Sequence, residues 1–246
     1  MLHSHDWSES SLILDLFTRE HGRVVAVAKG AKRPYSQLRP VLLPFQPLLV
    51  TFGARRGEEV DVWLVRQAEW AGGPAWAGGA ALLPGFYLNE LLMRLLARHD
   101  PHPVLFDAYG QALAALTDPA LLQAGLRAFE MLLLRQLGHL PDLSVETVDG
   151  CHLEPAHSYE LHPELGVVRP QWRGEAGPVP GLTGQVLSQL EAALSGAVDT
   201  TGLAPLMAAS LPALTELKGA LRTLLQYHLG SQMLRTRQLM MELQQA

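Results

Sequence analysis

Six basic residues stand between Arg19 and Arg39, against Glu20 alone, in a chain whose net charge is −5. Two of its three lysines, Lys29 and Lys32, share one turn there, Lys29-Gly30-Ala31-Lys32-Arg33. A Walker-type phosphate loop needs G-x-x-x-x-G-K-S/T, because several backbone N–H groups must converge on phosphate and a hydroxyl must hold Mg²⁺. Gly22 to Lys29 lacks the second glycine at the right place, and no Ser or Thr follows the lysine. A nucleophilic lysine needs burial or a neighbouring cation to lower its pKa. Lys32 and Arg33 supply cations, but no acid/base partner is evident. Two readings survive. One is a solvated turn. The other is a grip on a nucleic-acid backbone by Lys and Arg on a loop between barrel strands, with Tyr35 as a stacking ring.

Other groups carry weaker chemistry. Cys151, His152, His157 and His162 lie beside Glu154 and Glu160 in a short stretch. Imidazole and carboxylate can hold zinc, but the spacing matches no compact zinc motif, and a hydrophilic surface loop is the plainer reading. Trp63, Trp70 and Trp76 read as barrel core and interdomain packing, or as stacking platforms. His3-Ser4-His5-Asp6 holds triad letters only, since neighbours on one strand cannot converge as nucleophile, base and orienter. The helical part carries Arg94, Arg98, Arg127, Arg135, Lys218, Arg222, Arg235 and Arg237, which suit a solvated helix face.

The elements that must position these residues fall into two kinds. Ser11 to Phe17, Arg23 to Ala28, Leu48 to Phe52 and Val60 to Val65 are short, β-branched or alternating runs, separated by turns at Gly22, at Lys29 to Pro34 and at Gly53 to Gly57. Strands at this spacing predict a small barrel or sandwich. Pro44 and Pro47 put any strand there at an edge or make it start late. Ala71 to Gly79 (AGGPAWAGG) is a composition break and a linker candidate. Beyond it the period becomes helical. Leu88, Leu91, Leu92, Leu95 and Leu96 form one stripe, ended by Asp100-Pro101, and Pro103 to Leu116 forms a second helix. Asp118-Pro119 opens a third, with Leu122, Leu126, Phe129, Leu133 and Leu137 on one face and Gly138 as its stop. Leu140 to Gly181 is irregular or short β structure. Helices over about Thr183 to Leu194, Leu211 to Leu229 and Leu234 to Gln245 finish the chain.

The totals narrow the class. A chain of 246 residues with 48% hydrophobic and 17% charged residues is an ordinary globular protein of one large or two small domains. Its negative net charge excludes generalised basic attraction to nucleic acid, so any polyanion site must be local. From Asp142 to Asp199 the balance reverses, leaving only Arg169 and Arg173 against a series of acids. A single cysteine permits no internal disulfide and no multi-cysteine zinc site, which is compatible with a reducing cytosol. No signal peptide or membrane span is expected.

Several segments together, DWSESSLILDLFTREHGRVVAVAKGAKR, LRPVLLPFQPLLVTF, YLNELLMRLL and LRAFEMLLLRQLGHLPDL, resemble the RecO family of bacterial recombination-mediator proteins. The resemblance covers Leu2 to about Leu143 and weakly the last helices. It implies an α+β chain: a five-stranded oligonucleotide-binding (OB-fold) β-barrel over residues 1–72, then a mostly helical domain over 80–246 with an irregular insertion at about 140–181. It implies a cytoplasmic, non-enzymatic mediator of RecF-pathway DNA repair and recombination. Such a protein binds single- and double-stranded DNA, anneals complementary strands and helps load RecA onto DNA coated with single-stranded DNA-binding protein. Its partners would be RecR and the acidic C-terminal tail of single-stranded DNA-binding protein, with no cofactor. The alternative is a protein–protein adaptor whose barrel binds a partner with little direct DNA role. By resemblance, Lys29, Lys32 and Arg33 become the leading DNA contacts, with Arg39 in the same connection, Arg23 in the feeding strand and Tyr35 beside them. Arg127, next to Phe129, and Arg222, Arg235 and Arg237 fall on basic positions suited to an acidic, phenylalanine-ended tail. Many members hold zinc with two C-x-x-C pairs after L-G-H-L-P-D-L. Here the first pair's positions are Glu146 and Asp149, and no cysteine falls around Val167 to Pro170, so a zinc-less insertion is expected. Met1-Leu2-His3 would begin inside the first barrel strand, so either that strand is shortened or the start is internal.

Overall fold

A computed structural model describes residues 1–53, 62–72, 78–170, 181–199, 202–230 and 233–245. Trp76, Arg173 and most of the expected turn from Gly53 to Gly57 lie outside the described residues. Five strands come first: β1 (His3–Asp6), β2 (Leu12–Thr18), β3 (Gly22–Ala28), β4 (Leu48–Phe52) and β5 (Val62–Trp70). They form one sheet in the order β1-β2-β3-β5-β4, with β3 and β5 parallel and the other neighbours antiparallel. After helix α1 (Leu82–Leu95) come α2 (Pro103–Leu116) and α3 (Leu122–Gln136), then a small sheet of β6 (Ser158–His162), β7 (Gly166–Val168) and β8 (Leu182–Thr183). Helices α4 (Gly184–Asp199), α5 (Ala204–Ser210), α6 (Leu214–Leu229) and α7 (Arg235–Gln245) complete the order.

Period-two patterning explains the first sheet. Leu12, Leu14 and Leu16 of β2 pair with Ala28, Ala26 and Val24 of β3, and all six side chains face one core. The opposite face carries Asp15, Phe17, Arg23 and Val25. Gly22 makes the turn between these strands at φ +64°, and a Cβ there would meet the Asp100 carbonyl oxygen at 1.9 Å. Only glycine satisfies both the left-handed backbone and that approach.

The sheet is OB-like in strand number and mixed pairing, but it does not close into the expected barrel. No ladder joins β1 to β4 among the described residues. Just before the two edge strands, the Phe45 N–H donates to the Met1 carbonyl at 3.2 Å and the Met1 ammonium to that of Gln46 at 3.4 Å. Pro44 and Pro47 flank this contact and have no N–H to extend it into a ladder.

The chain gathers into two compact units, one of Met1–Phe106 with Leu234–Ala246, the other of Asp107–Met233. In the first, α1 and α7 fold with the sheet. The Asn89 amide donates to the Leu2 carbonyl at 2.8 Å. The Glu90 carboxylate accepts the first free N–H groups of α7, from Arg235 at 2.9 Å and Thr236 at 3.0 Å, and the Thr236 hydroxyl at 2.8 Å. Burial pushes the Glu90 carboxyl up, but those bonds and the Arg94 charge outweigh it and hold the group below the usual carboxylate range.

In the second unit α3 is buried on every side from Ala124 to Leu134, the mark of a central helix. Gly125 permits this, since a Cβ there would stand 2.9 Å from the Ala115 Cβ of α2. The insertion contains β6 and β7, and β8 just after it completes a sheet in the order β7-β6-β8. Arg169 ties it together, donating to Glu146 at 3.1 Å and Glu154 at 3.2 Å. One of the positions expected to have lost a metal ligand, Glu146, is thus held by an ion pair.

Candidate nucleic-acid interface

The segment from Lys29 to Pro47 links β3 to β4 as a chain of tight turns. Gly30 takes φ +71°, and the Arg33 N–H closes back on its carbonyl at 3.1 Å. The Ser36 N–H then bonds the Arg33 carbonyl at 3.0 Å, and the Arg39 N–H that of Ser36 at 3.3 Å. Two buried apolar residues, Ala31 and Leu42, pin the segment to the core of the sheet. Anchoring from below leaves the polar side chains outside. Lys29, Arg33 and Arg39 are exposed, and Tyr35 is 95% exposed. Pro34, Tyr35, Ser36, Gln37, Arg39 and Pro40 line a shallow open hollow.

Lys32 is placed differently from its neighbours. Its N–H bonds the Ser10 carbonyl at 2.9 Å, and its ammonium pairs with Asp6 at 3.1 Å. Asp6 ends β1 and Ser10 lies in the β1–β2 connection, so that corner of the sheet and the basic turn form one rim. Asp6 and the neighbouring Trp7, which is 65% exposed, were not among the expected site residues. The signal was topological: the order β1-β2-β3 puts the β1–β2 turn beside the end of β3.

Arg23, expected with the DNA contacts, is an internal residue. Its guanidinium holds both oxygens of Asp15, at 2.8 and 3.2 Å, and donates to the carbonyls of Met93 and, at 3.3 Å, Leu96. The residues expected at the tail pocket are divided between the two compact units. Phe129 is 0% exposed in the core of the second unit. Arg127 is also buried and pairs with Glu130 at 2.9 Å. Arg222 is exposed on α6 in the same unit, whereas Arg235 and Arg237 open α7 in the first unit.

Trp63 packs among Phe52, His21 and His99, with ring centres 4.8, 5.0 and 6.4 Å away, and Trp70 is exposed at the end of β5. In the histidine stretch, His157 pairs with Glu154 at 2.9 Å, and His162 Nδ1 accepts the N–H groups of Glu164 and Leu165 at 3.2 Å. Among the described residues, no three His, Cys, Asp or Glu side chains gather as a metal site, and no helix is long and apolar enough to cross a membrane.

An OB-like sheet bearing a basic rim, followed by a helical unit, defines the class of chain. Residues 1–73 match the family profile described as "Recombination protein O N terminal", and residues 79–238 match "Recombination protein O C terminal". Similar proteins named "DNA repair protein RecO" occur in Paracidovorax citrulli, 50% identical over 251 residues (99% of this chain, 95% of that protein). Those of Polaromonas sp. and Verminephrobacter eiseniae are each 49% identical, covering 99% of this chain and 94% of each relative. The chain belongs to the recombination protein O family.

Proposed function

We propose that this protein acts in DNA repair by binding DNA through the rim formed by Lys29, Lys32, Arg33, Arg39 and Tyr35. The observation that carries the reading is the basic turn itself: three exposed cations and an exposed ring on a segment anchored by buried Ala31 and Leu42. Such a loop neutralises phosphates and reads no base edges, so binding follows counterion release. It acts as a mediator and not as an enzyme, annealing complementary strands and helping RecA onto DNA coated with single-stranded DNA-binding protein. RecR and the acidic tail of that protein are its partners. In the second unit the exposed Arg222 is the cation that supports the tail contact, because Arg127 and Phe129 are buried there.

The test is annealing of complementary oligonucleotides coated with single-stranded DNA-binding protein, with and without that protein's C-terminal tail. Annealing is expected to be fast with the tail and slow without it, and Arg222→Ala is expected to slow the tail-dependent part. Annealing that ignores the tail would remove the partner from the account. Absence of annealing on bare strands would remove the mediator reading altogether.

A further inference from the structure

We propose that Trp7 is a stacking platform for an unpaired base, which makes single-stranded nucleic acid the preferred ligand of the rim. This rests on the reading above that the basic turn binds phosphates. Indole is the largest apolar side chain, yet Trp7 is 65% exposed. Its position is fixed by the short connection that carries it. The Trp7 N–H bonds the Ser11 carbonyl at 3.2 Å, and the Ser11 N–H bonds the Ser8 hydroxyl at 3.2 Å. Lys32 then fastens the basic turn to both ends of this connection, through the Ser10 carbonyl at 2.9 Å and, at the end of β1, the Asp6 carboxylate at 3.1 Å.

The residue next to Trp7 therefore touches a lysine of the phosphate-binding turn. Single-strand sites combine cations that follow the backbone with aromatic faces that take the bases. A base in a duplex is already stacked on both sides and offers no face to an indole. Phosphate contacts serve both forms of DNA, so Trp7 supplies the difference between them.

Four full-length proteins test this: the parent, Trp7→Ala, Trp7→Phe, and the triple alanine variant of Lys29, Lys32 and Arg33. Each is titrated with oligothymidylate of about 30 nucleotides and with a duplex of the same length, at several salt concentrations. Trp7→Ala is expected to weaken oligothymidylate about fivefold or more, with the salt slope and duplex affinity unchanged. Trp7→Phe is expected to retain most of the affinity and to lose part of the tryptophan quench that oligothymidylate causes in the parent. The quench keeps the proposal testable if the alanine variant fails to fold. Single-strand affinity unchanged in Trp7→Ala, equal loss on both ligands, or a full quench in Trp7→Phe would overturn it. If the triple variant still loses affinity and salt slope in those cases, the basic-turn reading stands and Trp7 alone falls. If the triple variant binds like the parent, both fall.

Discussion

The Arg23 guanidinium is occupied by Asp15 and by two carbonyls at the end of α1, so its charge serves the fold. Replacing Arg23 with alanine strands a largely buried carboxylate and two acceptors. We expect a loss of about 2–4 kcal/mol in denaturant unfolding, with the salt slope of DNA binding unaltered. A stable variant with a flatter slope would return Arg23 to the interface. Lys32 gives the opposite case. Asp6 partly neutralises it, so Asp6→Asn is expected to tighten single-strand binding about twofold, the worth of an exposed ion pair. Weaker binding by that variant would show that Asp6 positions Lys32 instead of competing for it. The sequence displayed the charges but not their partners. Asp15 and Arg23 each interrupt an apolar strand, and on paired antiparallel strands with Asp15 opposite Val25 they are diagonal neighbours. Reading both interruptions together would have placed Arg23 inside.

At the scale of elements, α7 depends on one carboxylate of α1. Glu90 accepts three bonds from the start of α7, and its carboxyl titrates below its ordinary value of 4.5. A folded pKa below the unfolded one contributes stability above the unfolded value, and that contribution is lost as pH falls through the folded pKa. The gap in melting midpoint between the parent and Glu90→Gln is therefore expected to be widest above about pH 4.5 and to narrow below it. A gap constant from pH 3 to 7 would contradict the assignment. Helix α3 makes a second case. Its leucines read as one apolar stripe, but Ala124, Gly125 and Ala128 let neighbours approach the other sides, and Arg127 is enclosed with Glu130. Arg127→Ala is expected to cost about 3 kcal/mol of stability, seen as a lower denaturation midpoint. A variant of unchanged stability would mean that Arg127 is accessible after all. Strands and helices were largely legible because period two and period 3.6 differ plainly. Barrel closure was not, because it depends on whether two edges distant in sequence come together, and no ladder joins β1 to β4 among the described residues.

For the whole molecule, a net charge of −5 concealed a basic rim. Local counting exposed it, and the sheet supplies its meaning by anchoring the turn at Ala31 and Leu42 with the cations outside. The connection between β1 and β2 was less legible, since Trp7 and Asp6 join the rim only through strand order. The most direct test of the account is the salt dependence of oligothymidylate binding, compared between the parent and the triple alanine variant of Lys29, Lys32 and Arg33. Three to four neutralised phosphates predict a slope of log K against log salt of roughly −2 to −3 for the parent. Removing three cations is expected to flatten it by about 2, with weaker binding to every sequence alike. A parent slope near zero, or a triple variant with the parent's affinity and slope, would contradict the account.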